Sequence, residues 1–250
     1  MQSKIQFSFK KKIAHLLSKG YLSHNGVRLP LLRSNEGLFS NEKYLSETIS
    51  QINSLKRYSS LDEARILDFG SGQGRLLNGM MYSGVNFADY TGVDIDPVSV
   101  NWCIKNLQYN KNISFIWYNK KNERYNASGL NIECLPVREN YYDVVFSNSV
   151  FSHLNDIDVM LYSRLLYSTV REGGTLYLTA FTEEGVDDFE ENPAGYLGKT
   201  SEGTPLHRVR FNKDYFVNIF INAGWELINY RQNAIARTSQ SEIVFSKKAQ

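Results

Sequence analysis

The sequence predicts an α/β protein: a doubly wound, mostly parallel sheet of seven strands, preceded by a helical extension. Three observations carry this prediction. From residue 64 onward, short apolar runs alternate with helical patterns, as a parallel sheet with crossover helices requires. The apolar run 64–69 passes directly into Gly70-Ser71-Gly72-Gln73-Gly74 and then a helix beginning near Arg75. With 250 residues, 42% hydrophobic and 22% charged, the chain is long enough for one domain with an extension, of ordinary globular composition.

In chain order, residues 1–20 and 40–57 read as helices, separated by a loop over 23–35 that contains Pro30. The predicted division is a helical extension, residues 1–60, and an α/β domain, residues 61–250. Strand one covers 65–69 and strand two 91–95. Helix 97–110 places Val100, Cys103, Ile104 and Leu107 at i, i+3, i+4 and i+7, a buried stripe. Strand three is the short apolar run 113–118, and strand four is 143–147. Helix 155–170 is expected to bury Ile157, Met160, Leu161 and Leu165. Strand five, 175–181, follows a Gly173-Gly174 turn. Helix 212–223 carries Phe216, Ile219, Phe220 and Ala223 on one face, with Asn212 as its N-cap and Gly224 as its stop. Strands six (225–230) and seven (242–246) close the sheet. Their short connection suits an antiparallel return, because a parallel one needs a longer crossover.

Bulk properties narrow the function classes. No run of about 18 apolar residues exists to cross a membrane. The N-terminus has no apolar signal-peptide core. Cys103 and Cys134 lack metal-ligand spacing and read as reduced packing residues of a cytoplasmic protein. The net charge of +2 hides an asymmetry: residues 1–60 carry 10 Lys or Arg against 3 acids, residues 61–250 carry 18 against 23. The commoner explanation for such an excess is a solvated helix face. Lys10-Lys11-Lys12 beside Phe7, Phe9, Ile13, Leu16 and Leu17 also suits a short amphipathic helix capable of peripheral membrane contact, which alone is not an anchor. The run 183–191 carries six acids without regular metal spacing, so it reads as an exposed lid or solvated loop, and no metal site is expected.

The glycine loop is the chemically informative segment. A tight strand-to-helix turn needs positive φ and lets a ligand approach the backbone. A dinucleotide fingerprint places its third glycine three residues after the second; Arg75 stands there instead, which disfavours a nicotinamide oxidoreductase. The glycines alternate, and Asp94 follows 20 positions after Gly74 in Tyr90-Thr91-Gly92-Val93-Asp94-Ile95-Asp96-Pro97. Further on come Leu135-Pro136, then Tyr142-Asp143-Val144-Val145-Phe146-Ser147-Asn148-Ser149-Val150, then Arg171-Glu172-Gly173-Gly174-Thr175-Leu176. These four motifs, in this order over about 64–181, resemble the class I S-adenosylmethionine (SAM)-dependent methyltransferases of the small-molecule type. The resemblance implies a Rossmann-like seven-stranded sheet with an antiparallel last strand and SAM as cofactor, and says almost nothing of the acceptor.

The resemblance also implies roles. The amides of Gly70, Gly72, Gly74 and Arg75, at a helix N-terminus, hold the methionyl carboxylate. Asp68 faces the methionyl ammonium, or else is a plain turn acid. Asp94 accepts both ribose hydroxyls, and Ile95 offers an apolar face to adenine. Asp96, before Pro97, reads as the N-cap of helix 97–110. Counting back from Leu135-Pro136 puts the adenine-edge contact at Asn131 and Ile132; counting from strand three puts it at Asn119. Ser147 and Asn148 complete the cofactor side at the end of strand four. A hydroxyl acceptor needs its proton removed, for which His153 and His207 are the candidate bases, each with packing as the alternative. His15 and His24 read as surface residues.

The leading reading is methyl transfer to a small or medium-sized acceptor at a hydroxyl oxygen of a sugar, lipid or secondary metabolite. Strand four ends in Ser147-Asn148-Ser149-Val150, which lacks the Asn-Pro-Pro-aromatic motif of exocyclic-amine methylation, and no Pro-Cys nucleophile is present. Two alternatives stay open. A nucleic-acid methyltransferase would use the basic N-terminal segment as its arm and lose binding steeply with salt. A SAM-binding scaffold would bind the cofactor without turnover.

Overall fold

In the computed structural model the described residues are 20–33, 40–122, 126–193, 208–235 and 238–249. Along the chain they form β1 (Tyr21–His24), β2 (Val27–Pro30), α1 (Asn41–Leu55), β3 (Arg65–Phe69), α2 (Arg75–Tyr82), β4 (Asp89–Asp94), α3 (Pro97–Asn106), β5 (Ile113–Trp117) and β6 (Tyr142–Ser147). A short 3-10 turn, Phe151–His153, leads to α4 (Asp156–Thr169), β7 (Val170–Ala180), β8 (Thr182–Glu183) and β9 (Phe189–Glu191). The chain ends with β10 (Val209–Asn212), α5 (Lys213–Asn222), β11 (Trp225–Ile235) and β12 (Gln240–Lys247).

The central sheet has the order β11-β12-β7-β6-β3-β4-β5. β7, β6, β3, β4 and β5 are parallel, whereas β12 runs antiparallel to both β7 and β11. The seven strands and the antiparallel last one are those the sequence predicts. Chain direction across the sheet reverses at β3, which lies between β4 and β6, and such switch points leave a crevice at the carboxyl ends of the strands.

Alternating side chains build a core on each face, because successive strand residues point to opposite sides. Leu67, Val145, Leu176 and Phe245 pack with Val159 and Leu166 of α4 and Phe216 and Phe220 of α5. Ile66, Val144, Tyr177 and Val244 pack with Ile52 and Leu55 of α1, Leu77 of α2 and Val100 of α3. Buried Glu242 reinforces the second layer: it pairs with Arg231 at 2.9 Å and accepts hydrogen bonds from Tyr177 Oη at 2.8 Å and from Ser54 Oγ of α1.

Several local expectations differ from the structure. The predicted loop 23–35 contains a hairpin, β1 with β2, turning at Asn25 (φ 46°) and Gly26 (φ 84°). Asn-Gly with both φ positive is the favoured two-residue turn, and that signal lay in the sequence. Helix 97–110 ends at Asn106, and Ile104 is 44% exposed; Val100, Cys103 and Leu107 are buried as expected. In α4 the buried face is Val159, Tyr162 and Leu166, while Ile157, in the first turn, is 72% exposed. Met160, Leu161 and Leu165 flank that face, half-buried, one position off the predicted stripe. Gly173 and Gly174 form a bulge inside β7 and do not precede it. The acidic run is partly strand, since β9 and β8 flank β10 in a second small sheet. α5 buries Phe216, Ile219 and Phe220, and Asn212 caps it by accepting from the amides of Asp214 and Tyr215.

Candidate functional site

At the carboxyl ends of the parallel strands lies a cavity of about 540 Å³. One end is built by the loop after β3. Gly70 (φ 81°), Gly72 (φ 51°) and Gly74 (φ 71°) all take left-handed backbone, but only two are confined by packing. A Cβ on Gly70 would stand 2.1 Å from Val150 Cγ2, and one on Gly74 would stand 2.4 Å from Leu107 Cδ1. A Cβ on Gly72 would meet nothing within 4 Å, so this glycine borders the open cavity. Gly74 also serves as the N-cap of α2, which starts at Arg75. The Arg75 side chain turns to Glu47 of α1 at 3.8 Å.

Two carboxylates stand beside the loop. Asp94, at the end of β4, accepts from the Gly72 amide at 2.7 Å and from the Asp96 amide at 2.8 Å. Burial raises its pKa, and these backbone hydrogen bonds oppose the rise. Asp68 is buried within β3 and accepts from Tyr90 Oη at 2.6 Å. Burial pushes its carboxyl up to about 7, against the Tyr90 hydrogen bond, because a low-dielectric surrounding disfavours the charged form. Asp96 is the N-cap of α3, accepting from the amides of Val98 and Ser99 at 3.1 Å. Ile95 lies on the cavity wall between the two acids.

Past β6 the wall is polar and tightly connected. Asn148 accepts from Gln51 of α1 at 2.8 Å. Thr179 donates to Gln240 Oε1 at 2.6 Å and accepts from the Ser149 amide at 2.8 Å. Gln240 Nε2 in turn donates to Ser149 Oγ at 2.8 Å. Ser149 holds φ 61° within this network, a left-handed conformation that costs a residue with a side chain on the order of 1–3 kcal/mol and persists where its surroundings over-determine it. His153, on the turn after Ser149, also lines the cavity. Beyond it the wall continues through Phe181 and Arg208, with Ile235 and Thr238 nearby.

The structure therefore brings together Asp68, Gly70, Gly72, Arg75, Asp94, Ile95, Asn148 and His153 around one cavity, with Gly74 packed just beneath the loop. It does not bring three other predicted residues there. Ser147 is fully buried in β6 and does not line the cavity. Asn131 is exposed, and Ile132 uses its carbonyl to accept from Tyr118 Oη and Lys120 Nζ; the segment after β5 presents Tyr118, Lys120, Lys121 and Asn122 instead. Asn126 Nδ2 donates to Asn119 Oδ1 and the Leu130 amide to the Asn119 carbonyl, which returns residues 126–130 toward the end of β5, so counting back from Leu135-Pro136 overshoots the wall. His207 and His15 lie outside the described residues. His24 stacks on Tyr82 in the hairpin. Sequence reasoning missed Gln51, Thr179, Gln240 and Arg208. The available signals were polar residues inside apolar strand patterns, and the alternation Arg208, Val209, Arg210, Phe211.

The chain matches a family described as a methyltransferase domain over residues 41–230. Its fold is similar to that of a SAM-dependent methyltransferase from Methanosarcina mazei, at 14% identity and a TM-score of 0.58, covering 79% of this chain and 98% of that one. A SAM-dependent methyltransferase from Mesorhizobium loti is similar at 11% identity and a TM-score of 0.54, covering 81% and 100%. The glycopeptide N-methyltransferase MtfA, solved with SAM, is similar at 12% identity and a TM-score of 0.58, covering 80% and 94%. Strand order, the glycine loop at the switch point and the match over three quarters of its length agree: the chain belongs to the methyltransferase family, with the class I fold that uses SAM as methyl donor.

Proposed function

We propose that this protein transfers a methyl group from SAM to a hydroxyl oxygen of a small or medium-sized acceptor. One observation supports this above others: a single cavity has two chemically different ends. The glycine loop, Asp68 and Asp94 make the first; Phe181, Arg208, Ile235 and Thr238 make the second. Asp94 ends β4 and Phe181 follows β7, strands three positions apart in the sheet, about 14 Å at ~4.8 Å per strand.

The first end fits the donor. Gly72 leaves open space where a side chain would stand, and Ser71 Oγ is buried with no hydrogen-bond partner among the described residues. Bound there, SAM supplies a methyl group on a positively charged sulfur. The loop amides and the N-terminus of α2 receive its carboxylate, and Asp68 receives its ammonium. Asp94 keeps spare lone pairs beyond its two backbone hydrogen bonds and accepts the ribose hydroxyls. Ile95 and the wall of Lys120 and Asn122 flank adenine, in place of Asn131 and Ile132. The chain's principal task is alignment, since holding the two reacting atoms about 3 Å apart lowers the barrier by ~7–11 kcal/mol. His153 takes the acceptor's hydroxyl proton as the new carbon–oxygen bond forms; His207 is the second candidate for that role.

Titration calorimetry with SAM, its demethylated product and NAD, followed by incubation of metabolite, sugar and lipid extracts with methyl-labelled SAM, tests the reading. SAM and product binding with label in an oxygen-methylated compound is the expected result. NAD binding without SAM binding, or binding of SAM with no label transferred to any extract, overturns it.

A further inference from the structure

Arg208 is a cation inside the cavity whose side chain pairs with no carboxylate among the described residues. Its guanidinium lies 5.9 Å from the centre of the Phe181 ring, and its backbone is fixed by a reciprocal pair with Asn192: Arg208 N donates to Asn192 Oδ1 at 3.0 Å, and Asn192 N donates to Arg208 O at 2.6 Å. Three acidic side chains of the neighbouring segment are engaged elsewhere. Glu183 and Glu190 both bind Arg210, two residues along on the same face of the strand, and Glu184 binds Lys213. Val209 and Phe211, which alternate with Arg208 and Arg210, are fully buried, and this fixes the side of the chain on which the two arginines emerge. Asp68 and Asp94, on β3 and β4, stand beside the glycine loop at the other end of the cavity. A guanidinium on an aromatic face, held by its backbone and facing a cavity, presents a planar fork of donors matched to a carboxylate or phosphate.

We infer that the acceptor carries an oxyanion, a carboxylate or a phosphate, which Arg208 binds while the methyl-accepting atom points toward the glycine loop. The inference rests on the proposed transfer reaction and narrows its substrate class. Phe181, 4% exposed, supplies the flat apolar support behind the guanidinium. Ser149 and Gln240, tied to buried Thr179, also line the cavity and offer Arg208 no carboxylate.

The test incubates wild type, Arg208→Gln and Arg208→Lys with methyl-labelled SAM and a metabolite extract divided on anion-exchange resin into neutral, carboxylate and phosphate pools. Calorimetry with SAM runs in parallel on each variant. The expected result is label in one anionic pool, the carboxylate and phosphate fractions telling the two sources apart. Arg208→Gln should raise the KM for that pool's acceptor roughly ten- to 150-fold, the worth of hydrogen bonds to a charged group. Its kcat should stay within a few-fold, and SAM affinity should be unchanged. Arg208→Lys should recover part of the loss, because it keeps the charge without the fork. Label entering the neutral pool, with Arg208→Gln indistinguishable from wild type, overturns the inference and leaves the transfer reaction standing. Label in an anionic pool at unchanged KM in Arg208→Gln overturns it as well. No label in any pool, with SAM bound normally, removes the transfer reaction and the inference with it.

Discussion

The Gly72 amide donates to Asp94 Oδ2 at 2.7 Å, tying the acid at the end of β4 to the middle of the loop after β3. Two segments 22 residues apart in sequence thus form one polar surface, and the acid that faces the cavity also shapes the loop.

Asp94→Ala should therefore lose more than a contact to ligand. SAM affinity should fall by ~1.5–3 kcal/mol, roughly ten- to 150-fold. Asp94→Asn, which keeps one acceptor oxygen, should fall between that variant and wild type. Asp96→Ala removes an N-cap and should cost about 1 kcal/mol of stability with affinity almost unchanged. Calorimetry and thermal denaturation measure the two effects separately, and a reversed ranking of the acids would end the assignment of Asp94.

The three loop glycines should separate by phenotype. Gly72→Val meets open space but must hold φ 51°, so it should remain folded and lose SAM binding. Gly70→Ala and Gly74→Ala drive a Cβ into Val150 and Leu107 and should lower the melting temperature first. A folded Gly72→Val with normal affinity would show that the loop does not touch the cofactor.

The fold was legible because its periodicities are strong: alternating strand and helix patterns, the Asn212 cap and the glycine loop each point the same way. Amphipathic stripes were less so. Ile157 is apolar, yet it sits in the first turn of α4, where Val159 and Tyr162 take the inward face. That Asp68, Gly72 and Asp94 share one end of the cavity was legible for the same reason as the loop, since they sit at fixed offsets from strand ends. The other end depends on contacts between distant segments, such as Gln51 with Asn148 and Thr179 with Gln240, which no local pattern encodes.

Asp68 should give the SAM affinity an acid limb. Its carboxyl is raised to about 7 by burial, partly offset by the Tyr90 hydroxyl, and an ammonium requires it ionised. Affinity should rise with pH through about 7. The linkage to stability runs the other way: a carboxyl raised above its unfolded value stabilises the free protein fully below about pH 4, and this is lost as pH rises through about 7. Asp68→Asn should flatten both dependences, read by calorimetry and by melting temperature across that range. A pH-independent SAM affinity in wild type would separate Asp68 from the ammonium.

Glu242 makes the opposite stability prediction. Burial pushes its carboxyl up, but hydrogen bonds from Arg231, Ser54 and Tyr177 outweigh that and lower it overall. Its contribution is thus present above the usual carboxylate range and lost as pH falls. Glu242→Ala should cost about 1–3 kcal/mol, less than a fully buried pair because Arg231 is 39% exposed. Denaturant unfolding should show the loss at neutral pH and its shrinking toward low pH. An undiminished stability would mean that α1 is held to β7 and β12 by apolar packing alone.

His153 carries the catalytic prediction. It follows Ser149 on the 3-10 turn after β6 and lines the cavity. An uncharged hydroxyl is a poor nucleophile, so a positioned base should matter to turnover and hardly at all to donor binding. His153→Ala should cut kcat by ~10²–10⁴ with SAM affinity almost unchanged. His207→Ala is the companion variant, because that residue is the other candidate base. If only His207→Ala slows turnover, the base is His207 and His153 orients the turn. If neither variant slows turnover on the identified acceptor, the reacting atom arrives already deprotonated and alignment alone carries the transfer.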